Sequence, residues 1–345
     1  MQRRPIKQLS QGLINRIAAG EVIERPASVV KELVENALDA GARSITIDIT
    51  DGGRELIRVT DDGVGIPAGE LELAFAPHAT SKLTDDAELF RITTMGFRGE
   101  ALASIGSVSQ ARIVSRPDGQ EAAFEIVNNG GEIAPPSAAA ANRGTSVEVR
   151  NLFFNTPARR KFLRSTGTEF GHISQMVTRL ALPFEGIAFK LTHNGRTMLE
   201  LPAGDRQTRL VAAWPDEFRE LYVPVDARFG EVAISGIAGL PELARPTPTH
   251  QYLYLNGRFI RDKFVSHALR EAYRGLTEPG RHPAAVLMLT LPPEEVDVNV
   301  HPTKSEVRFR DGTRIHGIVQ SAVRQKLLGS DLTPAASIIK SDVEA

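Results

Sequence analysis

Between residues 44 and 60 the chain alternates with a period of two. Ile45, Ile47 and Ile49 share one side, residues 54–60 alternate likewise, and Asp51, Gly52 and Gly53 stand between the two runs. Successive strand residues point to opposite faces, so this pattern demands a hairpin with one buried face. The period changes to 3.6 just upstream: over residues 26–40, Val30, Leu33, Val34, Ala37 and Leu38 form one stripe and Glu32, Glu35, Asn36 and Asp39 the other. Pro26 suits a first helical turn, Ser28 is placed to cap it, and Gly41 stands where a helix ends in a left-handed residue. Further strands are expected at residues 111–115, 122–127 and 145–150, with helices at 71–76 and 101–105. The pattern predicts an α+β sandwich, a sheet covered by helices on one face.

At 345 residues the chain is long enough for two domains. Loop-like composition marks residues 128–142 and 201–208, and the second stretch separates a complete α/β unit from a strand-rich segment. The expected division is a first domain at 1–202, a connecting loop at 203–208, a second domain at 209–329 and the start of a flexible linker at 330–345. A net charge of −1 provides no global basic field, so any contact with a polyanion must be local. The absence of cysteine excludes disulfides and thiolate-bound zinc. Arg3, Arg4 and Lys7 precede no apolar stretch, and the longest apolar run, at 284–291, is too short for a bilayer; a soluble, cytoplasmic protein with no membrane partner is expected.

Three short segments have chemistry in them. Glu32 and Asn36 are four residues apart and project from one helix face, offering a carboxylate that takes a proton and a neutral amide oxygen that suits Mg²⁺; a solvated polar face is the alternative. Asp61 follows the second hairpin strand and leads into Gly63 and Gly65. Its carboxylate matches the amino donor of adenine, and the glycines allow close approach; an ordinary Asp/Gly turn is the alternative. Gly96, Phe97, Arg98 and Gly99 precede the helix-like Glu100, Ala101 and Leu102, so backbone N–H groups there suit phosphate. Thr80, Ser81, Lys82, Gly144 and Thr145 add hydroxyls and a cation, and Lys304, in a polar turn between strands at 295–298 and 306–309, is a cation able to reach a γ-phosphate or a solvated hairpin lysine. No P-loop or kinase motif set is present. Arg159, Arg160, Lys161 and Arg164 form one basic cluster and Arg258, Arg261 and Lys263 another, placed either to meet phosphates or to hold neighbouring carboxylates.

The ordered set Glu32-x-x-x-Asn36, Asp61-x-Gly63-x-Gly65 and Gly96-x-x-Gly99 resembles the ATP-binding fold of the GHKL superfamily, which spans gyrase-type topoisomerases, heat-shock chaperones, sensor histidine kinases and MutL proteins. Residues 96–102 (GFRGEAL), 18–26 (AAGEVIERP), 155–162 (NTPARRKF) and 299–302 (NVHP) resemble the MutL family of DNA mismatch repair proteins, over residues 5 to 325. The resemblance implies a Bergerat-type α/β sandwich on a mixed sheet, followed by a smaller α/β domain like a topoisomerase transducer. It implies that Glu32 activates water, Asn36 holds Mg²⁺ and Asp61 reads adenine. Gly65, Thr80, Ser81, Lys82, Gly96, Phe97, Arg98, Gly99, Glu100, Ala101, Leu102 and Thr145 then line ATP, and Lys304 meets the γ-phosphate.

The implied activity is slow hydrolysis of ATP to ADP and phosphate, used to couple mismatch recognition to downstream nicking and excision. The implied partners are a second copy of the chain paired in the presence of ATP, with residues 1–11 reaching across, non-specific DNA at Arg258, Arg261 and Lys263 and at Arg159, Arg160 and Lys161, and a mismatch-recognition protein of the MutS family. Family members continue into a linker and a dimerisation domain that this sequence does not contain, so it reads as the N-terminal fragment, without nuclease activity. A topoisomerase-type ATPase subunit and a nucleotide-gated DNA clamp with incidental turnover are the rival readings.

Overall fold

The computed structural model describes residues 19–20, 23–81, 99–297 and 307–329. The chain divides into two compact units between Arg206 and Gln207. In the first unit, α1 (Pro26–Asp39) precedes the hairpin β1 (Ser44–Thr50) and β2 (Leu56–Asp61), and α2 (Leu71–Ala74) and α3 (Ala101–Ser107) follow. Then come β3 (Gln110–Arg116), β4 (Ala123–Asn129), β5 (Glu132–Ile133), β6 (Ser137–Ala139), β7 (Gly144–Arg150), α4 (Pro157–Phe162), α5 (Thr166–Ala181), β8 (Ala188–His193) and β9 (Arg196–Leu201).

These strands make one sheet in the order β5-β4-β3-β7-β2-β1-β8-β9, with β6 paired to β4. It is mixed because β1 runs parallel to β8 while the other pairs are antiparallel. The hairpin is the one expected: Ile45, Ile47 and Ile49 are buried, and Ile57 and Val59 of β2 join them. Val29, Val30, Leu33, Val34 and Ala37 of α1 and Ile173 and Val177 of α5 complete the core. Burying one such aliphatic side chain contributes roughly 1.5–3 kcal/mol, so the apolar stripe rather than helix propensity holds α1 in place.

Several local expectations are corrected. Ser28 does not cap α1: Arg25 occupies that position without a side-chain bond, and the Ser28 amide donates to the Arg25 carbonyl at 2.9 Å. Pro26 at the first turn leaves fewer amides there to satisfy. Glu35 is buried at 7% exposure rather than solvated, and Leu38 is only half-buried. At its other end the helix closes as expected, with Gly41 left-handed (φ 70) and the Ala42 amide reaching back to the Ala37 carbonyl at 3.2 Å. The stretch 128–142 contains the short edge strands β5 and β6, because a sheet edge recruits backbone N–H and C=O groups whatever the side chains.

A helix, α6 (Arg206–Val211), spans the division between the units where a connecting loop at 203–208 was expected. The second unit continues with β10 (Tyr222–Phe229), β11 (Val232–Gly239), β12 (Gln251–Leu255), β13 (Arg258–Ile260), α7 (Lys263–Ala272), β14 (Ala285–Thr290), β15 (Val296–Asp297), β16 (Arg308–Phe309) and α8 (Gly312–Leu328). Its five-stranded sheet is ordered β10-β11-β14-β12-β13, with β12 parallel to β14. Val265, Ala268, Leu269 and Ala272 of α7 share a core with Ile315, Val319, Ala322 and Val323 of α8. β15 and β16 pair antiparallel, matching the strands expected around residues 295–309. Among the described residues no helix is long and apolar enough to cross a membrane.

Candidate functional site

The polar face of α1 is organised around a lysine that the sequence reading passed over. The Lys31 ammonium donates to Glu32 Oε1 at 2.9 Å and to Glu35 Oε2 at 3.0 Å. Burial by itself would push the Lys31 pKa down, but the two carboxylates outweigh it and the net direction is up. Glu32 and Asn36, one turn apart, are both half-buried. The helix end beyond Asn36 is tied to the loop after β2, since the Val64 amide donates to the Ala40 carbonyl at 3.1 Å. The residues offered for water activation, for metal and for base reading therefore belong to elements bonded to one another.

Asp61 is the last residue of β2, and its register partner on β7 is Thr145. On the next strand Ser115 is in turn paired with Thr145. Three polar residues from β2, β7 and β3 thus form one row across the sheet. Ser115, buried at 1% exposure, links the row: its hydroxyl lies 2.9 Å from Thr145 Oγ1, reaches the Gly144 carbonyl at 3.1 Å and accepts the Ile66 amide at 2.7 Å. Nothing in the sequence singled it out, because the row exists only through the pairing of β3 with β7.

Asp61 accepts the Gly63 amide at 2.8 Å, yet its pKa is pushed up to about 6. Burial is the main cause, with a smaller contribution from neighbouring Asp62; backbone bonds to Gly63 and Thr145 pull the other way. Two glycines shape the surroundings. A Cβ at Gly144 would fall 2.0 Å from the Asp61 carbonyl, and one at Gly65 (φ 76) would fall 2.7 Å from the Pro117 backbone. Neither position accepts a side chain without moving backbone.

A second group of candidates gathers at the start of α3. Gly99 lies against Ala79, where an added Cβ would be 2.5 Å from the Ala79 carbonyl, so the segment that leads into Thr80 and Ser81 passes the residue just before Glu100, Ala101 and Leu102. Glu100 also meets His78, Oε1 to Nδ1, at 3.1 Å. Lys82, Gly96, Phe97, Arg98 and Lys304 lie outside the described residues, as do residues 1–11.

The basic clusters are on separate units. On α4, Arg160 and Lys161 are exposed, whereas the Arg159 guanidinium is turned inward, 1.9 Å from where a Cβ of Gly20 would be. In the second unit, Asn256 (φ 48) and Gly257 (φ 80) make the tight turn between β12 and β13. Arg258 follows it half-buried, Arg261 and Lys263 are exposed, and Asp262 between them caps α7 by accepting the Val265 amide at 2.8 Å.

Comparison with known proteins bears on both units. Residues 23–131 match the family described as histidine kinase-, DNA gyrase B- and HSP90-like ATPase, and residues 210–328 match DNA mismatch repair protein, C-terminal domain. The DNA mismatch repair protein MutL of Thiobacillus denitrificans is 47% identical over 331 residues, 96% of this chain and 55% of the relative. MutL of Azotobacter vinelandii is 50% identical over 327 residues, 93% of this chain and 51% of the relative. The chain thus spans about half the length of the relatives it matches. The solved Aquifex aeolicus MutL ATPase domain complexed with ADP aligns at a TM-score of 0.61 and 27% identity, covering 86% of this chain and 98% of that one. The B-subunit of DNA gyrase from Myxococcus xanthus aligns at 0.58 and 15% identity, covering 93% and 97%, a likeness of fold alone.

Proposed function

The chain belongs to the MutL family of DNA mismatch repair proteins, its first unit has the GHKL-type α+β fold, and from that premise we propose that this unit binds ATP and hydrolyses it slowly. The observation that carries the reading is the row Asp61–Thr145–Ser115, where a desolvated carboxylate stands beside hydroxyls and, among the described residues, no lysine or arginine shifts its pKa. An acceptor of that kind is matched by a neutral amino donor such as that of adenine. The donor set suits a nucleotide: Asp61 and Thr145 at the base, backbone at Gly65 free of side chains, and Thr80, Ser81 and the backbone of Gly99, Glu100, Ala101 and Leu102 for phosphate oxygens.

Glu32 is the group assigned to accept the proton of the attacking water, and the neutral carboxamide of Asn36 the one assigned to ligate Mg²⁺. Bound Mg²⁺ supplies charge neutralisation for phosphate. The roles of Lys82, Gly96, Phe97, Arg98 and Lys304 rest on the family resemblance. For the whole protein the reading is a cytoplasmic mismatch-repair matchmaker that pairs with a second copy when ATP is bound. Its DNA contacts are non-specific, through Arg258, Arg261 and Lys263 with Arg160 and Lys161, and its upstream partner is a MutS-family protein.

The decisive experiment is Glu32→Ala with binding and turnover measured separately. A base acts in the transition state, so hydrolysis should be abolished while ATP affinity stays within a few-fold of wild type. Turnover near the wild-type rate would overturn the assignment.

A further inference from the structure

In the second unit, two histidines that no assignment above uses face each other across the seam between α7 and α8. His267 Nδ1 lies 2.9 Å from His316 Nε2, and the ring centroids are 5.1 Å apart. The other ring nitrogen of His267, Nε2, faces Glu271 Oε1 at 3.9 Å, one turn along α7. Glu271 is itself held by Arg274, Nη2 to Oε1, at 2.8 Å. The seam beneath is packed: Phe264 on α7 covers Gly312 on α8 one turn before the pair, and Val265, Ala268, Leu269, Ile315 and Val319 are buried below. The two imidazoles are thus carried on helices fixed to each other, while His267 remains 54% exposed to solvent.

This arrangement has the parts of a metal site. At 2.9 Å the nitrogens share one proton, and an ion with two imidazole ligands replaces that proton. Tetrahedral zinc at its usual nitrogen distance of about 2.0–2.1 Å places two ligand nitrogens about 3.3 Å apart, so the pair need open by only about 0.4 Å. Metal-bound histidines commonly donate their second N–H to a carboxylate, and Glu271 stands on that side of His267 at 3.9 Å, beyond hydrogen-bond distance but near enough to act on it electrostatically. Imidazole suits late first-row divalent ions. Among the described residues no group of three or more His, Cys, Asp or Glu side chains could hold a metal ion, so an ion held here would take its remaining ligands from solvent.

We propose that His267 and His316 form a two-histidine binding site for a late first-row divalent cation of the zinc class, oriented by Glu271, which clamps α7 to α8. The site takes Zn²⁺ reversibly and stabilises the second unit independently of nucleotide. The test titrates the 345-residue chain, free of nucleotide, with Zn²⁺ alone by calorimetry and follows the unfolding temperature in parallel. His267→Ala and His316→Ala should each weaken the strongest Zn²⁺ site at least tenfold and remove the Zn²⁺-dependent rise in unfolding temperature, reversible by chelator in the wild type. Glu271→Gln should weaken binding a few-fold while leaving the stoichiometry at one. The six other histidines supply the control: unchanged Zn²⁺ affinity in both alanine variants would place the ion elsewhere and overturn the proposal. Absence of a thermal shift in the wild type at saturating Zn²⁺ would overturn the clamping role.

Discussion

The first unit removes two carboxylates from water in opposite ways. Glu35 sits on the side of α1, and Lys31, one helical turn earlier, supplies a counter-charge at 3.0 Å. Asp61 sits at the end of β2 and is held by backbone amides, and among the described residues its charged neighbour is Asp62 rather than a cation. A carboxylate neutralised by its own helix is part of the scaffold. One left with only neutral donors has its charge held at a cost to the fold and is available to an incoming donor, which is where binding sites place such groups. The difference separates a residue that supports the scaffold from one placed to meet a ligand, the role proposed for Asp61.

The comparison breaks most readily at Asp61. Asp61→Ala should weaken ATP and ADP together by about 100-fold, since a lost charged hydrogen bond is worth roughly 1.5–3 kcal/mol, and should leave unfolding stability equal or higher. Titration calorimetry with both nucleotides, paired with urea unfolding, checks both signs. Unchanged affinity for both would remove Asp61 from the nucleotide site.

Lys31→Met should do the reverse. It removes the ammonium 3.0 Å from the buried Glu35 carboxylate, so stability should fall by about 2 kcal/mol, below the figure for fully buried pairs because Lys31 is half-exposed. Lys31→Met with Glu35→Leu should recover most of that loss in the same urea experiment. A single variant as stable as wild type would show that the pair holds nothing.

The pH response of Asp61 is smaller. Its folded pKa is raised from 3.8 to about 6, so ionised Asp61 opposes folding above pH 6. The fold regains that stability as pH falls through 6 towards 4, by an amount on the order of 2–3 kcal/mol. Nucleotide affinity runs the other way: the acceptor is lost on protonation, and binding should weaken about tenfold per unit below pH 6. Asp61→Asn should flatten both profiles. The smallest effect is expected at Thr145→Val, which removes one neutral hydroxyl bond worth about 1 kcal/mol and should weaken nucleotide a few-fold. A loss as large as that of Asp61→Ala would make Thr145 the principal base contact instead.

Much of this was legible along the chain because short-range spacing carries it. The period-two isoleucines and the 3.6-period stripe of α1 are local patterns, and both elements formed where expected. Glu32 and Asn36 share a face for the same reason. The errors were local too, yet had distant causes. Glu35 reads as solvated on a helical wheel, but the helix sinks far enough into the core to bury it. The segment 128–142 reads as loop from its Ala, Pro and Gly, but β4 offers an open edge that pairs its backbone.

The sequence by itself determined the family, the α+β fold class and the residue types available for chemistry, because each is encoded in composition, periodicity or a contiguous motif. Only the tertiary structure decided which of those residues meet. Asp61, Ser115 and Thr145 are separated along the chain by tens of residues, and it is the antiparallel registers of β2, β7 and β3 that set them in one row. His267 meets His316 only because α7 and α8 bury a common apolar seam. A strand register is chosen by the sum of many weak contacts over a whole sheet, and slipping by one residue would turn every side chain to the opposite face, so no short stretch of sequence states it.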